Sequence, residues 1–210
     1  MNRLTRRTIG LVTALSLALA LMIAGPRASA APAIGGAAPP FAGSDTQGRV
    51  QSLADYQGKI VVLEWTNHDC PFVVNHYRSG NMQALQREAA AKGVVWLTII
   101  SSAPGEQGHV TAAEADRLTR EWNAAPAAVI LDPQGTIGKA YGAKTTPHMF
   151  IIAADGTLAY MGAIDDRATT SGDPKTARNY VREALAALDA GKVVQTAVTQ
   201  AYGCSVKYGS

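Results

Sequence analysis

Three short apolar runs, separated by stretches of helical character, constrain what this 210-residue chain can fold into. Residues 59–66 (KIVVLEWT), 94–101 (VVWLTIIS) and 127–131 (AAVIL) are brief and rich in β-branched residues. Strands covered on both faces read this way. Ahead of them, Gly48 separates two short extended pieces, and residues 52–56 form a helical turn. A helical stretch at 71–92, broken near Ser79-Gly80 and ended by Gly93, divides the first two runs. A loop with Pro104, Gly105 and Gly108 follows the second run. Next comes a helix over 111–122, with Thr111 as its cap and Glu114 three residues on. After the third run, the turn Asp132-Pro133-Gln134-Gly135 leads into a short helix ending near Tyr141. Residues 148–152 and 157–161 form a hairpin around Asp155-Gly156, and residues 176–188 form a closing helix. Strands alternating with helices, then a hairpin and a last helix, predict an α/β protein with a central mixed β-sheet flanked by helices.

The two ends differ from this middle. Arg3, Arg6 and Arg7 precede an apolar run at 9–24, and Ala28-Ser29-Ala30 supplies small residues for cleavage. The run is too short and Ala-rich for a membrane span, so residues 1–30 read as a signal peptide and the protein as periplasmic or secreted. Residues 5–9 also match a twin-arginine signal weakly, and ordinary secretion is favoured. Four of the 19 Lys and Arg residues lie in this leader, where there is no acid. The remainder carries 15 basic and 16 acidic side chains, a balance that offers nothing to nucleic acid. No membrane partner is expected once the signal is cleaved. Residues 31–190 form the domain, opening with a flexible Ala/Pro/Gly-rich lead-in at 31–40. Residues 191–210 are a tail that carries Cys204.

Cys70 and Cys204 are the two cysteines, and two allow one intrachain pairing. Such a pair could be a structural disulfide of an exported protein. Cys70 follows the first strand and precedes Pro71, a residue suited to the first position of a helix. Free N–H groups and the helix dipole there favour a thiolate, the form that reacts. His68 adds positive charge and Asp69 opposes it; an inert buried cysteine is the alternative. The reactive reading requires a sulfur that is held, ionised and reachable. No G-x-G-x-x-G follows a strand, so no cofactor is expected and electrons must come from an external thiol reductant. Trp65 reads as core, and His76 and His109 as surface residues.

The motifs resemble a known family. Residues 34–41 (IGGAAPPF) and 45–71, ending W-T-N-H-D-C-P, resemble the start of the thioredoxin-like redoxins. These include the AhpC/TSA peroxiredoxins and the exported TlpA-type thiol oxidoreductases. Residues 141–160 (YGAKTTPHMFIIAADGTLAY) look like their second signature. The segment from Asn67 to Val73 is most similar to redoxins with an Asn-His-x-Cys-Pro-aromatic-Val motif. The resemblance implies a thioredoxin-like fold in which a cis Thr146-Pro147 bond faces Cys70 and exposes backbone groups to the substrate. His68 and Pro71 would flank that substrate. It also places Glu64 as a buried acid beneath the cysteine, able to shuttle a proton. A solvated strand carboxylate is the alternative.

Two departures bear on the chemistry. Val73 stands where Cys-x-x-Cys proteins carry their second sulfur, leaving Cys204 as the only internal group able to resolve an oxidised Cys70. Peroxiredoxins use Pro-x-x-x-Thr-x-x-Cys, but Leu63 and Asn67 occupy those positions here, and their peroxide-activating Arg would fall near Pro147. The expected function is therefore thiol–disulfide exchange, or peroxiredoxin-like thiol peroxidase activity, with Cys70 as nucleophile and a disulfide or peroxide as substrate. One alternative is a copper or soft-metal chaperone using Cys70 with His68 and His148. The other is a non-catalytic adaptor locked by a structural disulfide.

Overall fold

The computed structural model describes residues 32–209; the expected signal peptide lies outside them. Two short strands, β1 (Ala42–Ser44) and β2 (Val50–Ser52), pair antiparallel near the start of the chain. The central sheet is built from β3 (Val61–Trp65), β4 (Val95–Ile100), β5 (Ala128–Leu131), β7 (His148–Ile152) and β8 (Leu158–Gly162), in the order β5-β4-β3-β7-β8, with the two-residue β6 (Thr145–Thr146) outside it. β3 runs parallel to β4 and β4 to β5, while β7 and β8 return antiparallel. β3 is the middle strand and all five of its residues are buried. An apolar run without alternation suits that place, because both faces of the strand are covered.

One face of the sheet packs Val62, Trp96, Met149 and Ile151 against α1 (Pro71–Arg78), α2 (Asn81–Ala91) and α5 (Tyr180–Asp189). The other packs Leu63, Trp65, Leu97 and Phe150 against Ile137 and Tyr141 of α4 (Thr136–Tyr141). The remaining helix, α3 (Ala112–Glu121), begins at Thr111, whose hydroxyl accepts from the Glu114 amide. Glu64 points toward the α1 and α2 side, and Trp65 toward α4. This is the thioredoxin-like architecture expected from the sequence. Among the described residues no helix is long and apolar enough to cross a membrane.

Three segments differ from expectation. The closing helix starts at Tyr180 rather than 176, because Asn179 caps it by accepting from the Arg182 amide. A separate 3-10 turn, Pro174–Thr176, precedes it. The lead-in is pinned rather than free: Gly35 donates to the Leu158 carbonyl (2.9 Å) and Leu158 to that of Gly36 (2.8 Å). The tail likewise docks at Met161, which donates to Ala197 and accepts from Thr199. Both segments answer the unpaired backbone groups that an edge strand such as β8 presents. His76, expected on the surface, is 1 % exposed. Its ring meets Asn81 at Nδ1 (2.9 Å) and the Tyr202 hydroxyl at Nε2 (3.1 Å), which makes a buried imidazole tolerable.

Candidate active site

A tight turn carries the chain from β3 into α1 and aims Cys70. The Asn67 side chain organises it, with Oδ1 accepting from the Asp69 amide (2.9 Å) and Nδ2 donating to the Gln107 carbonyl (3.3 Å). The Cys70 amide then donates to the Asn67 carbonyl (3.0 Å). Cys70 is the N-cap of α1 and Pro71 its exposed first residue. The cap side chain is thus a sulfur, beside N–H groups that have no partner within the helix.

Thr146 and Cys204 cover that sulfur. The Thr146–Pro147 bond is cis, as expected. The Cys70 thiol donates to the Thr146 carbonyl at 2.9 Å, and the Cys204 amide donates to Cys70 Sγ at 3.4 Å. Cys70 is fully buried, contrary to the expectation of a reachable thiol. Its cover is a strand of the tail, β9 (Cys204–Ser205), paired antiparallel with β6 (Thr145–Thr146). Burial pushes the Cys70 thiol up, but hydrogen bonds from the Cys204 thiol, the Val73 and Cys204 amides and the Thr146 side chain prevail, and its pKa lies below the ordinary value. Burial and the neighbouring Cys70 sulfur push the half-buried Cys204 up to about 11. Both cysteines are free, and the amide and thiol of Cys204 face the Cys70 sulfur.

The other expected residues divide. Glu64 is fully buried, not solvated. Its carboxyl accepts from the Tyr77 hydroxyl (2.8 Å), Trp96 Nε1 (2.8 Å), Thr98 Oγ1 (3.1 Å) and Gln86 Nε2 (3.3 Å). None of these bonds goes to Cys70; α1 links the two through Tyr77. Burial raises its pKa against the pull of those donors. His68 is partly buried, with its Nε2 3.4 Å from the Asp69 carboxylate. Trp65 is core, its indole N–H on Ser101 Oγ (3.1 Å).

His148 does not join the site. It projects to the opposite face of the sheet and stacks on Phe150, its Nδ1 accepting from the Lys144 amide (3.2 Å). Burial, then the Lys144 charge, lowers its pKa to about 4. Among the described residues no three His, Cys, Asp or Glu side chains cluster to hold a metal. The set of Cys70, His68 and His148 needed by the metal alternative is not assembled. Sequence reasoning passed over Tyr202 and Gly203, which seat the tail; an aromatic and a glycine before a cysteine carry no signal of their own.

Known proteins share this fold. The AhpC/TSA family matches residues 34–161. None of the curated proteins compared with the chain matches it. Among solved structures, an uncharacterized conserved protein from Geobacillus kaustophilus is 27% identical, with a TM-score of 0.73 over 84% of this chain and 93% of that one. A hypothetical protein from Sinorhizobium meliloti 1021 is 23% identical, with a TM-score of 0.72 over 87% and 98%. A putative thiol:disulfide interchange protein DsbE from Chlorobium tepidum is 25% identical, with a TM-score of 0.51 over 62% and 85%.

Proposed function

The chain belongs to the AhpC/TSA family and has the fold of thioredoxin-like thiol–disulfide oxidoreductases, and from that premise we propose that it is an exported redox protein in which Cys70 is the nucleophile and Cys204 resolves it. The observation that carries the reading is the Cys70 sulfur at the start of a helix, held between the Thr146 carbonyl and the Cys204 amide, with the second cysteine beside it.

The Cys70 thiolate attacks one sulfur of a substrate disulfide, forming a mixed disulfide and releasing the other sulfur as a thiolate. Cys204, once it has lost its proton, attacks the Cys70 sulfur. The second substrate thiolate leaves and a Cys70–Cys204 disulfide remains. The substrate has gained two electrons and the protein has lost two. An external dithiol returns them by the same exchange. The lower pKa of Cys70 makes it the better leaving group of the pair, so the reductant attacks Cys204, which is also the more exposed sulfur. Glu64 supplies or takes a proton through the α1 side of the site, and residues 1–30 direct export.

Disulfide exchange is favoured over peroxide reduction. Asn67 holds the peroxidase threonine position, and its side chain is committed to Asp69 and Gln107. The test is turnover of glutathione disulfide and of hydrogen peroxide, with dithiothreitol as reductant. Cys70→Ser abolishes turnover, and Cys204→Ser accumulates a mixed disulfide at Cys70. A Cys70→Ser protein that turns over either oxidant at the parent rate rejects the reading.

A further inference from the structure

The tail does more than deliver Cys204, because it sits on the site as a bound strand sits on a sheet edge. Thr145 lies opposite Ser205 and Thr146 opposite Cys204, and the Val206 amide donates to the Lys144 carbonyl at 3.0 Å. Side-chain anchors flank this pairing. The Tyr202 ring packs on Phe72, centroids 5.6 Å apart, and its hydroxyl joins His76 and Asp165. Beyond β9, the Ala103 amide donates to the Lys207 carbonyl (2.8 Å), and the Tyr208 hydroxyl to that of Ala143 (2.8 Å). Gly203, at φ +127°, lets the strand lie flat, since a Cβ there would strike the Thr146 carbonyl.

The anchorage is not uniform along the tail. Thr199 is tied to β8 and its following turn, through Met161 and Ala163. Residues 200 and 201 make no backbone hydrogen bond to the body among the described residues. They separate the Thr199 anchor from the strand that covers Cys70.

We propose that residues 202–206 are a tethered stand-in for the substrate, the chain's own strand seated on the edge at residues 144–146, which must lift before an extended polypeptide bearing the disulfide to be reduced pairs there. The proposal rests on Cys70 as the reacting sulfur. With the tail seated, Cys70 is fully buried and no reactant meets it. With the tail lifted, the edge presents the donors and acceptors that now pair with β9, and main-chain pairing of an incoming strand satisfies them. A substrate cysteine in the register of Cys204 then stands opposite Cys70. Attack by the Cys70 thiolate breaks the substrate disulfide, leaving one substrate sulfur bonded to Cys70 and freeing the other as a thiolate. Return of the tail displaces the substrate strand from the edge and brings Cys204 to the mixed disulfide. Its thiolate then expels the remaining substrate thiolate. One strand exchange thereby orders the two steps.

Alkylation of Cys70 by N-ethylmaleimide in full-length Cys204→Ser protein reads this directly. Adding Gly203→Val, which the flat crossing cannot accommodate, raises the rate by at least about tenfold, the equivalent of about 1.4 kcal/mol of tail closure. Tyr202→Phe, which removes the hydroxyl and keeps the ring, raises it less. A synthetic peptide of residues 199–208 carrying Cys204→Ser slows alkylation of the Gly203→Val protein, and a scrambled peptide does not. Equal rates with and without Gly203→Val or Tyr202→Phe, in protein that still melts cooperatively, overturn the proposal. Absence of protection by the peptide overturns it too. Alkylation measures access rather than turnover, so this failure would leave the Cys70 reaction standing, whereas an active Cys70→Ser protein would remove the reaction itself.

Discussion

At the scale of the residue, Glu64 invites test because a carboxyl is held wholly out of water. Its carboxyl is fully buried with four donors around it. Burial lifts its pKa above the ordinary 4.5. The folded state therefore holds this proton more tightly than the unfolded chain. The stability it confers is fully present below pH 4.5 and is lost as pH rises through the raised folded value. Glu64→Gln keeps the shape, lets the amide donate to the Tyr77 oxygen, and flattens that part of the stability profile measured by chemical denaturation. Glu64→Ala strands the Trp96 and Tyr77 donors and costs about 2–4 kcal/mol. If Glu64 moves protons for Cys70, the Gln variant also shifts the pH profile of turnover, which a purely structural carboxyl would not. The type of this residue and its place on an apolar strand were legible in the sequence. Its partners were not, because Tyr77, Gln86, Trp96 and Thr98 come from three elements that only the fold brings together.

At the scale of the element, the β3–α1 turn depends on a glycine from a different loop. Gly108 has φ +84°, and a Cβ there would run into the Asn67 side chain. Gly108→Ala combines a strained backbone with a displaced Asn67. It lowers stability by about 1–2 kcal/mol in a denaturant melt and slows disulfide turnover by misplacing the α1 start. The strands, the hairpin at Asp155-Gly156 and the Thr111 cap followed from local pattern, since each rests on near neighbours in the chain. The lead-in, the tail and the start of α5 did not. Residues 32–40 and 199–206 carry no periodicity, and their order comes from backbone groups of β8 and β6 that no local pattern announces. His76 failed for the same reason, its partner Tyr202 lying 126 residues away.

At the scale of the whole molecule, a Cys70–Cys204 bond would close a loop of 134 residue steps across the domain. Loop entropy assigns such a bond about 4–5 kcal/mol when the geometry is relaxed. The oxidised protein should accordingly melt about 10 °C above the reduced one, a difference that calorimetry resolves and Cys204→Ser removes. Oxidation would also retain the tail on its edge. The same tail has a second station, at Met161, beside the place where the lead-in binds Leu158. At the opposite border of the sheet, Thr46 donates to the Val129 carbonyl and Asp45 bridges to Ile130. Both rims of the five-stranded sheet are thus blunted by irregular chain instead of being left open to a neighbour. Protein stripped of residues 32–38 or of the 197–199 anchor would offer β8 as a ladder of vacant amides, and its characteristic failure would be edge-to-edge self-association before any loss of the core.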